Sequence, residues 1–159
     1  MSHLDAMEIA HATVRIPPYH GGGHREIVRQ PRIYAFDTGL VAHVNGWAQI
    51  RDTDRGHLWV NLVLDELRFA YRSTTIHYWR TKARQEIDFV IEQPDGRVDA
   101  VEAKINPNAF DAAALRTFRS MHPDGNNYLV CPYVKVPYPI RKGDLTVQVC
   151  SPHQLPGNG

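Results

Sequence analysis

The sequence predicts a single domain of the mixed α/β class, with helices and strands interspersed along the chain. Residues 56–71 repeat apolar side chains with the 3.6-residue period of an amphipathic helix. Residues 86–93 and 97–105 have strand composition and flank Pro94-Asp95-Gly96, which suits a hairpin loop. The 159 residues, 43% of them hydrophobic and 22% charged, are enough for one core and exclude a disordered or collagen-like chain.

The remaining elements give the order strands, helix, hairpin, helix, strands, which is typical of α+β or mixed α/β proteins. Asp37 is a candidate N-cap for a helical turn that closes at Asn45-Gly46. A second full helix is predicted over 109–121. The other predicted strands are 12–16, 32–36, 76–80, 127–133 and 145–150. Residues 1–151 are predicted to form the domain and residues 152–159 a loose tail.

The net charge and the cysteine content indicate which kinds of protein and which cellular compartments fit this chain. Lys plus Arg number 18 and Asp plus Glu 17, so a net charge of +1 gives no support to a strongly basic nucleic-acid binder. Cys131 and Cys150 fit two free thiols in a reducing compartment, and one disulfide also fits. No apolar run approaches the roughly 20 residues needed to span a membrane. The cytoplasm is therefore the predicted location.

The glycines at 21–23 predict a loop between the first two strands. His20 and His24 flank this loop at a spacing that would suit zinc on a helix, which the glycines disfavour. The following basic stretch fits either contact with phosphates or a solvated face. Its members are Arg25, Arg29 and Arg32.

Glu66 lies inside the apolar stripe of the long predicted helix. The stripe consists of Leu58, Trp59, Leu62, Val63, Leu67 and Ala70, whereas Asn61, Asp65 and Arg68 lie opposite. A carboxylate among apolar side chains needs a partner. Glu66 is therefore predicted to be buried and paired with Arg, Lys or a metal-bound water.

The hairpin loop fixes which residues face each other across the two strands. A three-residue loop pairs Gln93 with Arg97 and places Asp88 directly opposite Glu102, with Glu86 opposite Lys104. The odd positions then form one apolar face, comprising Ile87, Phe89, Val101 and Ala103. A two-residue loop would shift the register by one and separate the two carboxylates.

Two carboxylates this close are unfavourable unless a cation or a proton lies between them. Mg²⁺ or Mn²⁺ bound by oxygen ligands would satisfy the pair Asp88 and Glu102, with Lys104 on the same face. An exposed network of opposite charges fits the same pattern.

The basic residues before Asp88 form a weak candidate for nucleic-acid contact. They are Arg80, Lys82 and Arg84. For Arg80, the alternative is an ion pair with Glu86 or Glu66.

Asp88 followed by Glu102-Ala103-Lys104 resembles the PD-(D/E)XK nuclease superfamily. More narrowly, the chain resembles the C-terminal domain of unknown function in prokaryotic AAA+-type ATP-binding proteins. The matching segments are 16–19, 31–40, 56–59, 66–67, 78–80, 86–91 and 102–104. The resemblance implies a restriction-endonuclease-like central mixed sheet flanked by helices. It also implies an Mg²⁺ or Mn²⁺ site formed by Asp88, Glu102 and the Ala103 carbonyl, with Lys104 activating water.

The sequence departs from this pattern at Val60, where such proteins tend to place a Glu before the Asn. Glu66 is then either a substitute catalytic carboxylate or an independent core residue. A phosphate loop of the G-x-x-x-x-G-K-[ST] type is absent from the sequence, so no ATP hydrolysis is expected, and an ATPase domain in a longer parent protein is the expected partner. Two functions follow: a nuclease acting on DNA or RNA, or a catalytically degenerate module that serves such an ATPase.

Overall fold

A six-stranded mixed sheet lies at the centre of the computed structural model, which describes residues 3–21, 30–72 and 74–156. Its strands are β3 (Ile76–Arg80), β4 (Glu86–Glu92), β5 (Val98–Ala103), β6 (Asn127–Val130), β7 (Tyr138–Lys142) and β8 (Leu145–Cys150). The spatial order is β3-β4-β5-β6-β8-β7. The pairs β5/β6 and β6/β8 are parallel, whereas the other pairs are antiparallel.

A second, two-stranded sheet and four α-helices complete the described part of the chain. The small sheet pairs β1 (Thr13–Ile16) with β2 (Arg32–Ala35). The helices are α1 (His3–Ile9), α2 (Thr38–Val44), α3 (Asp52–Ala70) and α4 (Ala113–Met121), and short 3-10 helices lie at Pro107–Ala109 and Pro152–Gln154. The predicted mixed α/β class is confirmed. No helix in the described ranges is both long enough and apolar enough to cross a membrane.

Two hydrophobic clusters occupy the opposite faces of the central sheet. Successive residues of β5 alternate between them, since Ala100 belongs to one cluster and Val101 to the other. Helix α3 contributes Val63, Leu64 and Leu67 to the first cluster. Helix α4 covers the other face with Leu115 and Phe118. The sheet is therefore sandwiched between the two longest helices.

Several local predictions are confirmed and others are wrong. The Asp37 side chain accepts a hydrogen bond of 2.7 Å from the Leu40 N–H, as an N-cap does. Helix α1 and strand β7 are additional elements: α1 is short and has no buried residue, and Pro139 in β7 weakens its strand signature. Pro is tolerated there because β7 is an edge strand. Both cysteines are free, and they lie in opposite clusters, which excludes the disulfide alternative.

The predicted loose tail is wrong for residues 152–155. The Gln154 side chain accepts a 2.9 Å hydrogen bond from the Ser151 N–H, which caps the 3-10 helix. Leu155 is buried in the cluster beneath α3. Residues 157–159 lie outside the described ranges, as do most of the predicted glycine loop and the residues His24, Arg25 and Arg29.

Hydrogen bonds from Arg119 link α4 to the first residue of β5. The guanidinium donates hydrogen bonds to the carbonyls of Val98 (2.8 Å) and Asn126 (2.6 Å) and to Asn127 Oδ1 (2.6 Å). It also donates to the carbonyls of His122 and Asp124. The loop after α4 therefore closes around a buried cation, whose partners are carbonyl dipoles and an amide rather than a carboxylate.

Candidate functional site

The β4–β5 hairpin has the register that its loop predicts. Phe89 pairs with Val101, and the Gln93 N–H donates to the Arg97 carbonyl at 2.8 Å. Gly96 has a φ of +83° and donates its N–H to the Gln93 carbonyl at 2.9 Å. A left-handed residue at the end of a three-residue loop is the geometry that favours glycine. Asp88 and Glu102 lie directly beyond the last pair of this register, at the end of the hairpin that lies away from the loop.

A bulge in β4 changes the local alternation at Asp88. On the β3 side, His77 pairs with Val90 and Trp79 with Ile87, so β4 has one extra residue over this interval. Ile87 consequently packs in the cluster beneath α4, whereas Phe89 packs beneath α3. The prediction that Ile87 shares the face of Phe89 is wrong. The apolar run around Asp88 gave no sign of this irregularity.

Asp88, Glu102 and Lys104 come together at the end of the hairpin. Lys104 Nζ lies 3.2 Å from Asp88 Oδ2 and 2.8 Å from Glu102 Oε2. The Ala103 N–H also donates to Asp88 Oδ2, at 3.0 Å. The Asp88 side chain therefore takes the place of a backbone partner where the ladder between β4 and β5 ends. Asp88 and Glu102 are 8% and 7% exposed.

The charges at this point are incompletely balanced. Burial, followed by the nearby Asp88 charge, raises the pKa of Glu102 to about 8, and the Lys104 ammonium offsets this only in part. Burial opposes the charge of Lys104, but Glu102 and Asp88 outweigh it and raise the Lys104 pKa above its ordinary value. At neutral pH, Lys104 is charged, and the raised pKa of Glu102 means that this carboxyl group ionises less readily than an ordinary one.

Comparison with known proteins identifies the domain family. The family model described as a domain of unknown function, DUF4143, matches residues 55–150, a span that includes most of α3, the central sheet and the residues Asp88, Glu102 and Lys104. The chain belongs to the DUF4143 family. Two curated relatives are named uncharacterized proteins, Mb2031c of Mycobacterium bovis and Rv2008c of Mycobacterium tuberculosis. Each is 30% identical over 94 residues, which cover 57% of this chain and 21% of the relative.

The oxygen atoms of this DUF4143 domain fit a hard divalent cation. Asp88 and Glu102 offer carboxylate oxygens, and the Ala103 backbone adjoins Asp88. Such ligands suit Mg²⁺ or Mn²⁺. In the described parts of the chain, however, no group of three or more His, Cys, Asp or Glu side chains could hold a metal ion. A cation here would need further oxygen ligands of another kind.

Glu66 does not join this group. Its side chain is exposed on α3, as is that of Leu62, so the predicted burial and pairing of Glu66 are wrong. The helix has the predicted period but is rotated, because its buried side centres on Val63, Leu64 and Leu67. The interpretation of Glu66 as an independent core residue is wrong as well.

The basic residues of the β3–β4 region divide into two groups. Arg80 Nε lies 3.7 Å from Glu86 Oε2. Arg80 therefore forms an ion pair with Glu86, which was the alternative to its contact with nucleic acid. Glu86 also pairs with Arg32, whereas it was expected to face Lys104. Lys82 and Arg84 have exposed side chains on the turn that precedes β4. Lys82 and Arg84 are therefore the solvent-exposed basic side chains of that turn.

A cavity of about 670 Å³ adjoins Asp88 and Lys104, and it was not predicted from the sequence. Its lining includes Arg32, Tyr34, His57, Val60, Asn61 and Glu86. The Arg32 guanidinium lies 4.6 Å from the Tyr78 ring centroid, and Tyr34 packs against Phe89 at 6.0 Å between centroids. Burial raises the pKa of Tyr34, so its hydroxyl stays neutral at physiological pH. Asn61 was expected on the polar side of α3, yet it is buried at this cavity.

Proposed function

We propose that this DUF4143 domain is a metal-dependent nuclease that hydrolyses phosphodiester bonds of DNA or RNA with Mg²⁺ or Mn²⁺. The observation that carries the proposal is the contact of Lys104 Nζ with both Asp88 and Glu102 at the open end of one hairpin. Two buried carboxylates can bind a divalent cation, and a neighbouring lysine can assist water activation at a phosphate.

Each residue has a distinct part in this proposal. Asp88, Glu102 and the Ala103 carbonyl would hold the cation, which lowers the pKa of bound water and polarises the phosphate. Lys104 would remain within reach of the negative charge that develops on the attacked phosphate. Lys82 and Arg84 would contact the nucleic-acid backbone, since both are exposed on the turn that leads into β4.

The domain would act within a longer protein. The chain spans about a fifth of the length of the curated relatives it matches. We propose an AAA+-type ATPase domain as the partner, on the strength of the motif resemblance, and the cytoplasm as the location. Two buried free thiols support a reducing compartment.

A cleavage assay tests the nuclease proposal. Purified domain is incubated with single- and double-stranded DNA and RNA, with Mg²⁺, with Mn²⁺ and with chelator. Metal-dependent cleavage is expected, and Asp88→Asn and Lys104→Met should each lower its rate by about 100-fold or more. Lys135→Met is the matched control, because Lys135 is exposed and its side chain lies outside the site. Equal activity in Lys104→Met and Lys135→Met would contradict the proposed role of Lys104.

A catalytically degenerate interaction module is the second candidate. It is favoured by the apolar Val60 at the cavity and by the exposed Glu66, which leave α3 without a carboxylate at the site. In that case the wild-type domain would cleave no substrate and would bind no Mg²⁺ or Mn²⁺ at millimolar concentration. It would instead form a stable complex with the ATPase part of a full-length relative.

A further inference from the structure

Asn61 presents a buried oxygen atom without a partner. The residue is 8% exposed, and its Oδ1 accepts no hydrogen bond in the described structure. Burying an acceptor without a donor costs free energy, so such an atom calls for a specific explanation. Asn61 is a polar residue on the buried side of α3, three positions from each of the buried residues Leu58 and Leu64.

The position of Asn61 connects it with the carboxylate pair. Asn61 lines the same cavity as Asp88, Ala103 and Lys104. The Trp59 Nε1–H donates to the Val130 carbonyl at 3.1 Å, and the Lys104 N–H donates to the same carbonyl at 3.0 Å. One carbonyl at the end of β6 therefore fixes both this turn of α3 and the residue that follows β5.

We infer that Asn61 is the helix-side ligand of the cation site, supplying its Oδ1 to the cation held by Asp88 and Glu102. The inference rests on the proposed cation site. It explains the unpartnered oxygen, since a carbonyl-type oxygen is a ligand that Mg²⁺ and Mn²⁺ accept. It also provides the third side-chain ligand that the two carboxylates lack.

The charge balance favours an amide over a carboxylate at this position. Asp88 and Glu102 already share the single ammonium group of Lys104, at 3.2 Å and 2.8 Å. A third carboxylate would add to that repulsion in the metal-free protein. Asn61 adds an oxygen ligand and no charge.

Mn²⁺ binding followed by electron paramagnetic resonance tests this inference, with Mg²⁺ calorimetry as the second measurement. Both are performed at the same fixed pH of 8.5 on the wild type, Asn61→Ala, Asn61→Leu and Asn61→Asp. Asn61→Ala and Asn61→Leu should weaken Mn²⁺ binding by about 10-fold or more, whereas Asn61→Asp keeps an oxygen and should retain binding. Asn108→Ala is the control, because Asn108 is an exposed asparagine that does not line the cavity.

Thermal melting of the metal-free variants separates a ligand from a structural residue. Because the Asn61 oxygen has no partner, Asn61→Leu should melt at the same temperature as the wild type or higher. Unchanged Mn²⁺ affinity in both Asn61→Ala and Asn61→Leu would overturn the inference while leaving the proposed cation site intact. Absence of Mn²⁺ and Mg²⁺ binding by the wild type would overturn the cation site and the inference together.

Discussion

Glu102 shows how strongly one residue can depend on its surroundings. Its carboxyl group is buried, faces Asp88 and shares a single ammonium with it. The resulting pKa of about 8 means that the proton leaves Glu102 only near the upper end of the physiological range. A cation that replaces this proton would therefore bind more tightly as the pH rises toward 8.

Substitution of Glu102 by glutamine should change how stability depends on pH. The folded-state pKa is raised, so the stabilising protonated form is fully present below the ordinary pKa and is lost as the pH rises through about 8. The metal-free wild type should thus lose stability between pH 5 and pH 8, by on the order of 1 kcal/mol per pH unit at most. Glu102→Gln should remove this loss.

Urea denaturation at pH 5, 7 and 9 in the presence of chelator measures the effect. The matched control is Glu92→Gln, an exposed carboxylate on the adjoining strand β4. Glu102→Gln should be more stable than the wild type at pH 9 and closest to it at pH 5. If the difference between variant and wild type does not vary with pH, the raised pKa is refuted.

Helix α3 illustrates what periodicity can and cannot predict about an element. The 3.6-residue repeat located the helix, but its apolar residues form so wide a stripe that the repeat leaves the orientation ambiguous. The structure exposes Leu62 by 44% and Leu64 by only 1%. The rotation of α3 about its axis is set by its packing against the central sheet and by the cavity beside it. Neither neighbour can be identified from the sequence of the helix alone.

Two leucines of the same helix provide a direct test of that orientation. Leu64→Ala should destabilise the domain by about 2–5 kcal/mol, because it leaves a cavity in the cluster beneath α3. Leu62→Ala removes the same atoms from an exposed position and should cost less than about 1 kcal/mol. Urea denaturation measures both. Equal losses for the two variants would show that α3 is rotated differently.

The hairpin was more predictable than the helix, for a local reason. Pro94-Asp95-Gly96 specifies its own turn geometry, and the turn fixes the register of the adjoining strands. This was enough to predict that Asp88 and Glu102 would meet. The bulge beside Asp88 depends on pairing with β3, a contact that the hairpin sequence does not encode, and the face of Ile87 was accordingly mispredicted.

At the scale of the whole molecule, one buried arginine joins the α4 region to the central sheet. Arg119 donates to carbonyls from β5 and from the loop after α4, including those of Val98 and Asn126. A guanidinium has five N–H donors in a fixed planar arrangement, which suits several acceptors at once. Removal of Arg119 would leave several carbonyl groups without their donor.

Arg119→Ala should therefore destabilise the domain by at least about 2 kcal/mol. Arg119→Lys should recover little of this loss, because an ammonium group cannot reach the same set of acceptors. Arg116→Ala, an exposed arginine on the same helix, is the control and should change stability by less than about 0.5 kcal/mol. Thermal melting of the three variants measures the effect, and full recovery by lysine would refute the geometric explanation.

The mixed α/β class was predictable because the strands and helices of the central layers have strong local signatures. The peripheral elements α1 and β7 could not be predicted in the same way. Helix α1 buries no side chain, and β7 carries a proline on the outer edge of the sheet. Leu155 was assigned to a loose tail because a single apolar residue after Pro152 has no periodicity, and only its contact with the core reveals its position.

The β4–β5 hairpin also has a consequence for the order of folding. Asp88 and Glu102 are close in sequence, so only a short loop has to close before they meet, and the entropy cost of that closure is small. Contacts between nearby residues tend to form early. Repulsion between the two carboxylates would then oppose an early step rather than the final packing of α3. Lys104 lies two residues after Glu102, directly beyond the end of β5, so its positive charge reaches the site together with the Glu102 carboxylate. We therefore expect refolding of Lys104→Met to be slowed more than its unfolding is accelerated.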